Sequence, residues 1–317
     1  MDPTPAPTRP PVPTATVVVA TPSPAPSAAA TPVATPVLAD TPPPTPTPPP
    51  LVNVPTPSHT PAPSAPDGVL TTKQIALHRE AATRLGLIVE ETFAEIRRAL
   101  LAGEKPTEAG VVAFVSTLLA RDKLVTEKRP LVSAGPNGSY PDHPGGTDQV
   151  LATGQVLLVE IVAKKDDPDG VYARTTWTAF AGKKVEVPAR VEKVWKMVRD
   201  AREAAISRAA DRVAAKKAVS GDDVDVAART VIKRAKHGPW FQHSAGVSLG
   251  ATLPGAGLSL STGEKRAIAA DTCYALRPAV YYPAEFGVRT EISFCVTGGA
   301  FEITTGIRQR EIRPLLD

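Results

Sequence analysis

Between positions 72 and 102 apolar residues recur at steps of three to five, and Ala81, Leu85, Ile88, Phe93, Ile96 and Leu100 would share one side of a long helix. Gly103 follows as a C-cap, and Pro106 forbids continuation. A second helix is predicted from Thr107, with Glu108 beside its positive end, through "VVAFVSTLLA" to about Lys123. The period then drops to two. "QVLLVEIVA" and "VYARTTWTAFA" read as strands joined by "KKDDPDG", whose Asp, Pro and Gly are turn formers, so an antiparallel hairpin is expected. The helical period returns over about residues 189–217, with Val191, Val194, Trp195, Val198, Ala201, Ala205, Ile206, Ala209 and Val213 as the buried stripe, and a shorter helix covers Asp222 to Lys236. From Trp240 to Ile312 strand and turn patterns dominate, in "DTCYALRPAVYY", "GVRTEISFCV" and "AFEITTG". The order helix, helix, strands, repeated once, fits an internally repeated α+β domain with a curved, mostly antiparallel sheet better than alternating βαβ units.

Composition changes the picture at the N-terminal end. Of 35 prolines, 23 fall within the first 66 positions, together with twelve threonines and only three charged side chains, Asp2, Arg9 and Asp40. Proline removes backbone donors, and the small, sparse apolar residues there cannot offset the entropy of ordering. Residues 1–66 are therefore expected to be a disordered Pro/Thr-rich spacer of polyproline II character, and residues 67–317 the folded domain. That domain carries a formal charge of +5, yet its acids and bases interleave along the chain, which argues against a nucleic-acid footprint. Cys273 and Cys295 are the only cysteines, too few for a disulfide framework or a Cys-based zinc site. Two buried free thiols are expected, with one disulfide between them as the alternative in an exported chain. No apolar run reaches the ~18 residues that a membrane span needs. The start "MDPTPAPTRP" shows no secretory pattern, which points to the cytoplasm. Spacers of this composition also follow export signals and lipid anchors, so an envelope-tethered form with an upstream signal stays open. The sequence sets no oligomeric state.

Searched for chemistry, the residues alone offer little. His59, His78, His143, His237 and His243 show no H-E-x-x-H spacing, no Walker loop or G-x-S-x-G elbow occurs, and "GSYPDHPGG" reads as a turn-rich loop.

Three segments nevertheless resemble one family when taken together: "SAGPNGSYPDHPGGTDQVLATGQVLLVEIVAKKDDPDGVYARTTWTAFAG", "FQHSAGVSLG" and "RPAVYYPAEFGVRTEISFCV". In order and spacing they are similar to the pita-bread metallopeptidases, which include methionine aminopeptidase, aminopeptidase P, prolidase and creatinase. The resemblance covers nearly all of residues 72–313 and is strongest to the Xaa-Pro aminopeptidase and dipeptidase branch, with its phrases "DLWAK", "YADITW", "HRTGHSIG" and "EPGIYLPGEFGVRSE". It implies a pita-bread fold with an internal pseudo-twofold repeat. It also implies a site in which two divalent ions, such as manganese, cobalt or zinc, are held by two Asp, one His and two Glu and activate a water against the scissile carbonyl.

Carried over position by position, the ligand pattern fails. The first Asp falls on Glu160, the second on Arg174, the His on Val247, the first Glu on Arg277, and only the last Glu survives, as Glu291. Four carboxylates would balance two dications, whereas Glu160, Arg174, Arg277 and Glu291 sum to zero charge, so no metal cofactor is expected. Of the substrate-side positions, His243 matches the first His of the H-x-x-G-H stretch. The other His aligns with Asp142, with His143 one residue away. Trp177 matches the tryptophan of "DITW" and reads as core rather than substrate platform, Gly287 and Arg289 match "EFGVR" and read as shaping the sheet, and Trp177 and Arg289 stay with Asp142, His143 and His243 as possible pocket residues. The expectation is a catalytically inactive homologue that binds an unknown peptide or protein ligand on a flexible tether, with Arg174 and Arg277 pairing with Glu160 and Glu291. The alternative is a divergent metal-dependent Xaa-Pro peptidase that recruits Asp142, His143 or Asp271. A third reading, histone or RNA binding as in non-catalytic relatives of this fold, is disfavoured by the dispersed basic residues.

Overall fold

Helix α1 (Thr72–Leu101) begins where the Thr71 hydroxyl accepts the Gln74 N–H and the Gln74 side chain accepts the Thr71 N–H, a reciprocal cap that satisfies two otherwise orphaned donors. It ends at Ala102, followed by Gly103 at a φ of 73°, the left-handed conformation glycine adopts without cost. Helix α2 (Glu108–Arg121) is capped by the Thr107 hydroxyl. The computed structural model describes residues 54–63, 65–141, 143 and 145–317. Strands β1 (Leu124–Val125) and β2 (Leu131–Ala134), too short to leave a periodic signal, precede the expected hairpin of β3 (Val156–Lys165) and β4 (Ala173–Phe180). Helices α3 (Ala189–Ala214) and α4 (Gly221–Arg234) follow, then β5 (Gly246–Leu249), β6 (Thr272–Leu276), β7 (Ala279–Tyr282), β8 (Phe286–Arg289), β9 (Ile292–Thr297), β10 (Ala300–Ile303) and β11 (Arg313–Pro314).

The first sheet has the order β1-β3-β4-β11, with β2 also on β3, and only the β4–β11 pair is parallel. The second, β10-β9-β6-β5, is antiparallel throughout, and β7 and β8 form a separate ribbon. A bridge joins the two larger sheets where the Glu291 N–H donates to the Thr176 carbonyl at 3.1 Å. Each helix pair packs on its own sheet. One core gathers α1 and α2 on Leu157, Val159, Ile161 and Ala163 of β3 and on Ala173, Trp177 and Ala179 of β4. The other gathers α3 and α4 around Tyr274, Leu276, Val288, Phe294 and Val296. This is the mostly antiparallel α+β architecture that the repeated pattern predicted.

The period of two in the β3–β4 hairpin has a second consequence. Its odd-numbered positions face α1 and α2, so Glu160, Arg174, Thr176 and Thr178 fall on the opposite face, and all four are buried. A sheet covered on both sides thus carries one apolar face and one on which these four polar residues lie among Val156, Leu158, Val162 and Phe180.

Two expectations need correction, and a third is borne out and extended. Cys273 and Cys295 are not free thiols: they lie opposite each other on β6 and β9 and are joined by a disulfide. The spacing of two cysteines does not reveal strand register, which is what brings them together. Residues 54–63, placed in the spacer by composition, lie against the domain: the Pro55 carbonyl accepts the Thr126 N–H at 2.8 Å, the Ser58 hydroxyl donates to Asp166 at 2.7 Å, and the Ala62 N–H donates to the Pro168 carbonyl at 2.8 Å. Proline keeps its carbonyl as an acceptor, so a proline-rich segment can still be tied down by its partners' donors. Of the rest of the predicted spacer, residues 1–53 and 64 lie outside the described residues, and Pro66 opens a short 3-10 turn to Gly68. Finally, Glu108 is fully buried and does more than oppose a helix dipole. Its carboxylate accepts from the Ala134 N–H, the Asn137 amide and the Thr147 hydroxyl, which pins the loop after β2 to the start of α2.

Candidate functional site

The polar face of the hairpin meets β8 and the β8–β9 turn at the sheet junction. There the Arg174 guanidinium lies between two acids, donating from Nη2 to Glu160 Oε1 at 2.9 Å and from Nε to Glu291 Oε1 at 2.8 Å. Arg289 donates to the second oxygen of Glu160. The remaining oxygen of Glu291 accepts the Thr176 hydroxyl at 2.7 Å. Both carboxylates are about 1% exposed. Burial alone would push their pKa values up, but the facing cations outweigh it and hold both well below the ordinary carboxylate range: Arg289, Arg174 and Lys128 for Glu160, and chiefly Arg174 for Glu291. Arg174 and Arg289 are driven up in turn by the acids, against the effect of burial. This paired group forms the floor of the site.

Above it lie side chains that are only partly covered. Lys128 reaches in from the loop after β1, with Nζ 2.5 Å from Glu160 Oε1. His243 places Nδ1 2.8 Å from the Ser244 carbonyl, which can only accept, so that nitrogen carries the proton and Nε2 accepts the Tyr281 hydroxyl at 2.9 Å. Tyr281 in turn accepts from Arg289 at 3.3 Å. Burial, reinforced by the Arg277 charge, lowers His243 to a pKa of about 4, so the ring is neutral at pH 7. Val247, on β5, offers no donor atom and packs on the small cluster of Leu70, Leu249, Cys273 and Ala275.

Arg277 departs from the expected pairing. Among the described residues no acid lies within 4.0 Å of its guanidinium, and its buried Nε has no hydrogen-bond partner. Burial and the Arg174 and Arg289 charges lower its pKa despite Glu291 and Glu160. The second cation on the acids is Arg289, read from the sequence as shaping the sheet and as a possible pocket residue. Gly287 does have that shaping role, since a Cβ there would lie 2.0 Å from the Gly138 carbonyl oxygen. Lys128, Tyr281 and Thr176 were missed. Lys128 lies 32 positions from its acid, and nothing in "VTEKRP" marks it as reaching a buried carboxylate.

The other predicted positions do not join the cluster. Trp177 points to the helix face, where it packs on Phe93 with ring centroids 6.1 Å apart beneath a surface cleft of about 540 Å³. An odd-numbered position in β4 cannot share a face with Arg174. His143 is buried and accepts the Gly145 N–H at Nδ1, 2.9 Å away, making no hydrogen bond to Glu160 or Glu291. Asp142 lies outside the described residues. Asp271 accepts the Gly298 N–H at 3.0 Å in the turn before β6.

As a donor set, Glu160, Arg174, Val247, Arg277 and Glu291 do not fit a pair of divalent ions. Two carboxylates are present, and three of their four oxygens already bind arginine or lysine, with the fourth on a hydroxyl. A dication would also meet the charge of Arg174 at the centre. One other group of potential ligands converges among the described residues, His78 with Cys273 and Cys295. Its sulfurs are bonded to each other, and both ring nitrogens are engaged, by the Tyr172 carbonyl at 2.9 Å and the Thr304 hydroxyl at 2.8 Å. That group does not fit a metal in this state either.

Comparison with known proteins agrees with the fold. The chain is 25% identical over 218 residues to the probable dipeptidase PepE of Mycobacterium tuberculosis, covering 69% of this chain and 54% of that one. It is 26% identical over 178 residues to the Xaa-Pro dipeptidase of Lactobacillus helveticus, covering 55% and 44%. The chain thus spans about half the length of the curated relatives it matches. The X-Pro aminopeptidase of Thermotoga maritima superposes with a TM-score of 0.68 at 21% identity, over 78% of this chain and 64% of that one. Residues 76–298, more than half of the chain, match the family model Peptidase_M24, and on that basis the chain belongs to metallopeptidase family M24.

Proposed function

We propose that this chain is a catalytically inactive homologue of the Xaa-Pro peptidases that serves as a peptide- or protein-binding module. The observation that carries the reading is Arg174, whose guanidinium bridges Glu160 and Glu291 at 2.9 and 2.8 Å. The family's chemistry requires a metal-activated water at this place, and a cation held by both acids takes up the charge that the ions would need. Stripping water from a dication beside a buried arginine is strongly unfavourable, so a metal would have to break two charge-assisted bonds to enter. The relatives, a probable dipeptidase and an Xaa-Pro dipeptidase, suggest the ligand class best matched to the inherited fold: a short peptide or an exposed chain end. Binding is a property such a fold can keep after its chemistry is lost, because the walls of a cleft do not depend on the ions at its floor.

The test is elemental analysis of the purified protein after incubation with manganese, cobalt and zinc salts, paired with an assay on Xaa-Pro dipeptides and longer Xaa-Pro peptides. The expected result is no stoichiometric metal and no hydrolysis above background. Stoichiometric metal together with chelator-sensitive hydrolysis would overturn the proposal in favour of a divergent metallopeptidase.

A further inference from the structure

We infer that Arg277 is the docking point for a carboxylate group of the ligand, an inference that rests on the binding-module reading and names the chemistry its site would take. The charge balance comes first. Lys128, Arg174, Arg277 and Arg289 face Glu160 and Glu291, four cations against two acids, with His243 neutral. The acids are saturated by the other three cations, and among the described residues Arg277 has no acid within 4.0 Å. A buried Nε–H without an acceptor is costly, and native proteins rarely leave one so. Arg289 also has an unpartnered Nε, but its terminal nitrogens are held by Glu160 and Tyr281. Arg277 alone of the three arginines has no side-chain partner among the described residues.

Geometry then selects the ligand. Nε with one terminal nitrogen forms a planar fork that matches the two oxygens of a carboxylate. Arg277 follows β6 directly, and its N–H still bonds the Ala245 carbonyl at 2.6 Å, so the strand register carries through it. The period of two puts Ala275 and Arg277 on one side, and Val247 lies opposite Ala275 on β5. A partly exposed valine near a partly exposed arginine suits a carboxylate borne on a carbon stem, as in a glutamate side chain or a peptide C-terminus, better than a fully hydrated phosphate. Both residues occupy positions where the family resemblance expects metal ligands, so the exchange replaces a site for cations by one for an anion.

The experiment uses the full chain in chelator, labelled with ¹⁵N and followed through its arginine Nε–H signals. The probes are acetylated pentaalanine with a free C-terminus, its amide, an amidated version containing one glutamate, and inorganic phosphate. Saturable movement of a protected Nε–H signal is expected with the first and third probes and not with the amide. Arg277→Gln should weaken that binding at least about tenfold, the scale of a lost hydrogen bond to a charged group. The two acidic probes separate the sources: a response to one alone assigns the terminal or the side-chain carboxylate. Equal binding of acid and amide, unchanged binding in Arg277→Gln, or a response to phosphate alone would overturn the inference. If Arg277→Gln does not fold, the wild-type titration decides by itself. Chelator-sensitive hydrolysis with carboxylate binding intact would defeat the proposed function and leave this inference standing, while a metal-free, inactive protein that ignores both acidic probes would do the reverse.

Discussion

The floor and the mouth of the cluster hold the same residue types in opposite states. On the floor, Arg174 and Arg289 are buried and share two acids that are themselves saturated, so every charge has a partner. At the mouth, Arg277 and Lys128 are partly exposed, and among the described residues Arg277 has no acid within 4.0 Å. The difference separates what holds the fold from what is available to a ligand. A paired buried ion adds little net stability, but removing its partner strands a charge in low dielectric, whereas a partly exposed ion with no acid beside it among the described residues has no partner to strand.

Arg174→Ala should therefore have the largest effect, a loss of about 3–5 kcal/mol in urea unfolding, because it exposes Glu160 and Glu291 to each other without their shared cation. A loss below about 1 kcal/mol would mean that water or Lys128 screens the floor, and the contrast with the mouth would collapse. Acid titration comes next. The Glu160 and Glu291 pKa values are depressed in the fold, so their contribution is present above the ordinary Glu pKa near 4.5 and is lost as pH falls below it. His78 is fully buried, and burial lowers it to a pKa of about 4; the unfolded chain takes up this proton first, so stability should fall between pH 6.5 and pH 4 by roughly 3 kcal/mol. His243 acts in the same window and direction. Urea midpoints at pH 7, 5.5 and 4 would trace this limb, and His78→Gln should flatten it. Thr176→Val, which removes the hydroxyl on Glu291 while keeping the shape, should cost about 2 kcal/mol by the same measurement. Arg277→Gln, which strands no acid and removes a buried donor without an acceptor, should leave stability unchanged or raise it by about 1 kcal/mol. A large destabilisation there would show that Arg277 belongs to the floor.

The two regions were not equally legible. The four helices could be read because their signals are local, as with the Ala81 to Ile96 stripe and Gly103 and Pro106 past the end of α1. The β3–β4 hairpin could be read for the same reason. The replaced ligand positions were legible only through resemblance to a family, since no spacing rule marks Glu160 and Glu291 as partners across 131 positions. What that comparison could not supply was who pairs with whom. Arg289 rather than Arg277 takes the second place on Glu160 because β8 passes over the polar face of the hairpin, where Thr178 and Arg289 exchange hydrogen bonds of 2.7 and 3.1 Å. Sheet junctions of this kind are set by the packing of distant elements. The Cys273–Cys295 disulfide could be named only as the alternative to free thiols for the same reason, because register across β6 and β9 is a property of the assembled sheet.

The bridge between Thr176 and Glu291 ties the two larger sheets with a backbone hydrogen bond, and the Arg174 side chain spans the same seam. Neither helix-on-sheet half can swing away without leaving a guanidinium and a carboxylate stranded. The seam should act as a lock on partial opening, so that amides of β4 and β9 exchange with solvent only through global unfolding and a chain built from two similar halves melts as one cooperative unit.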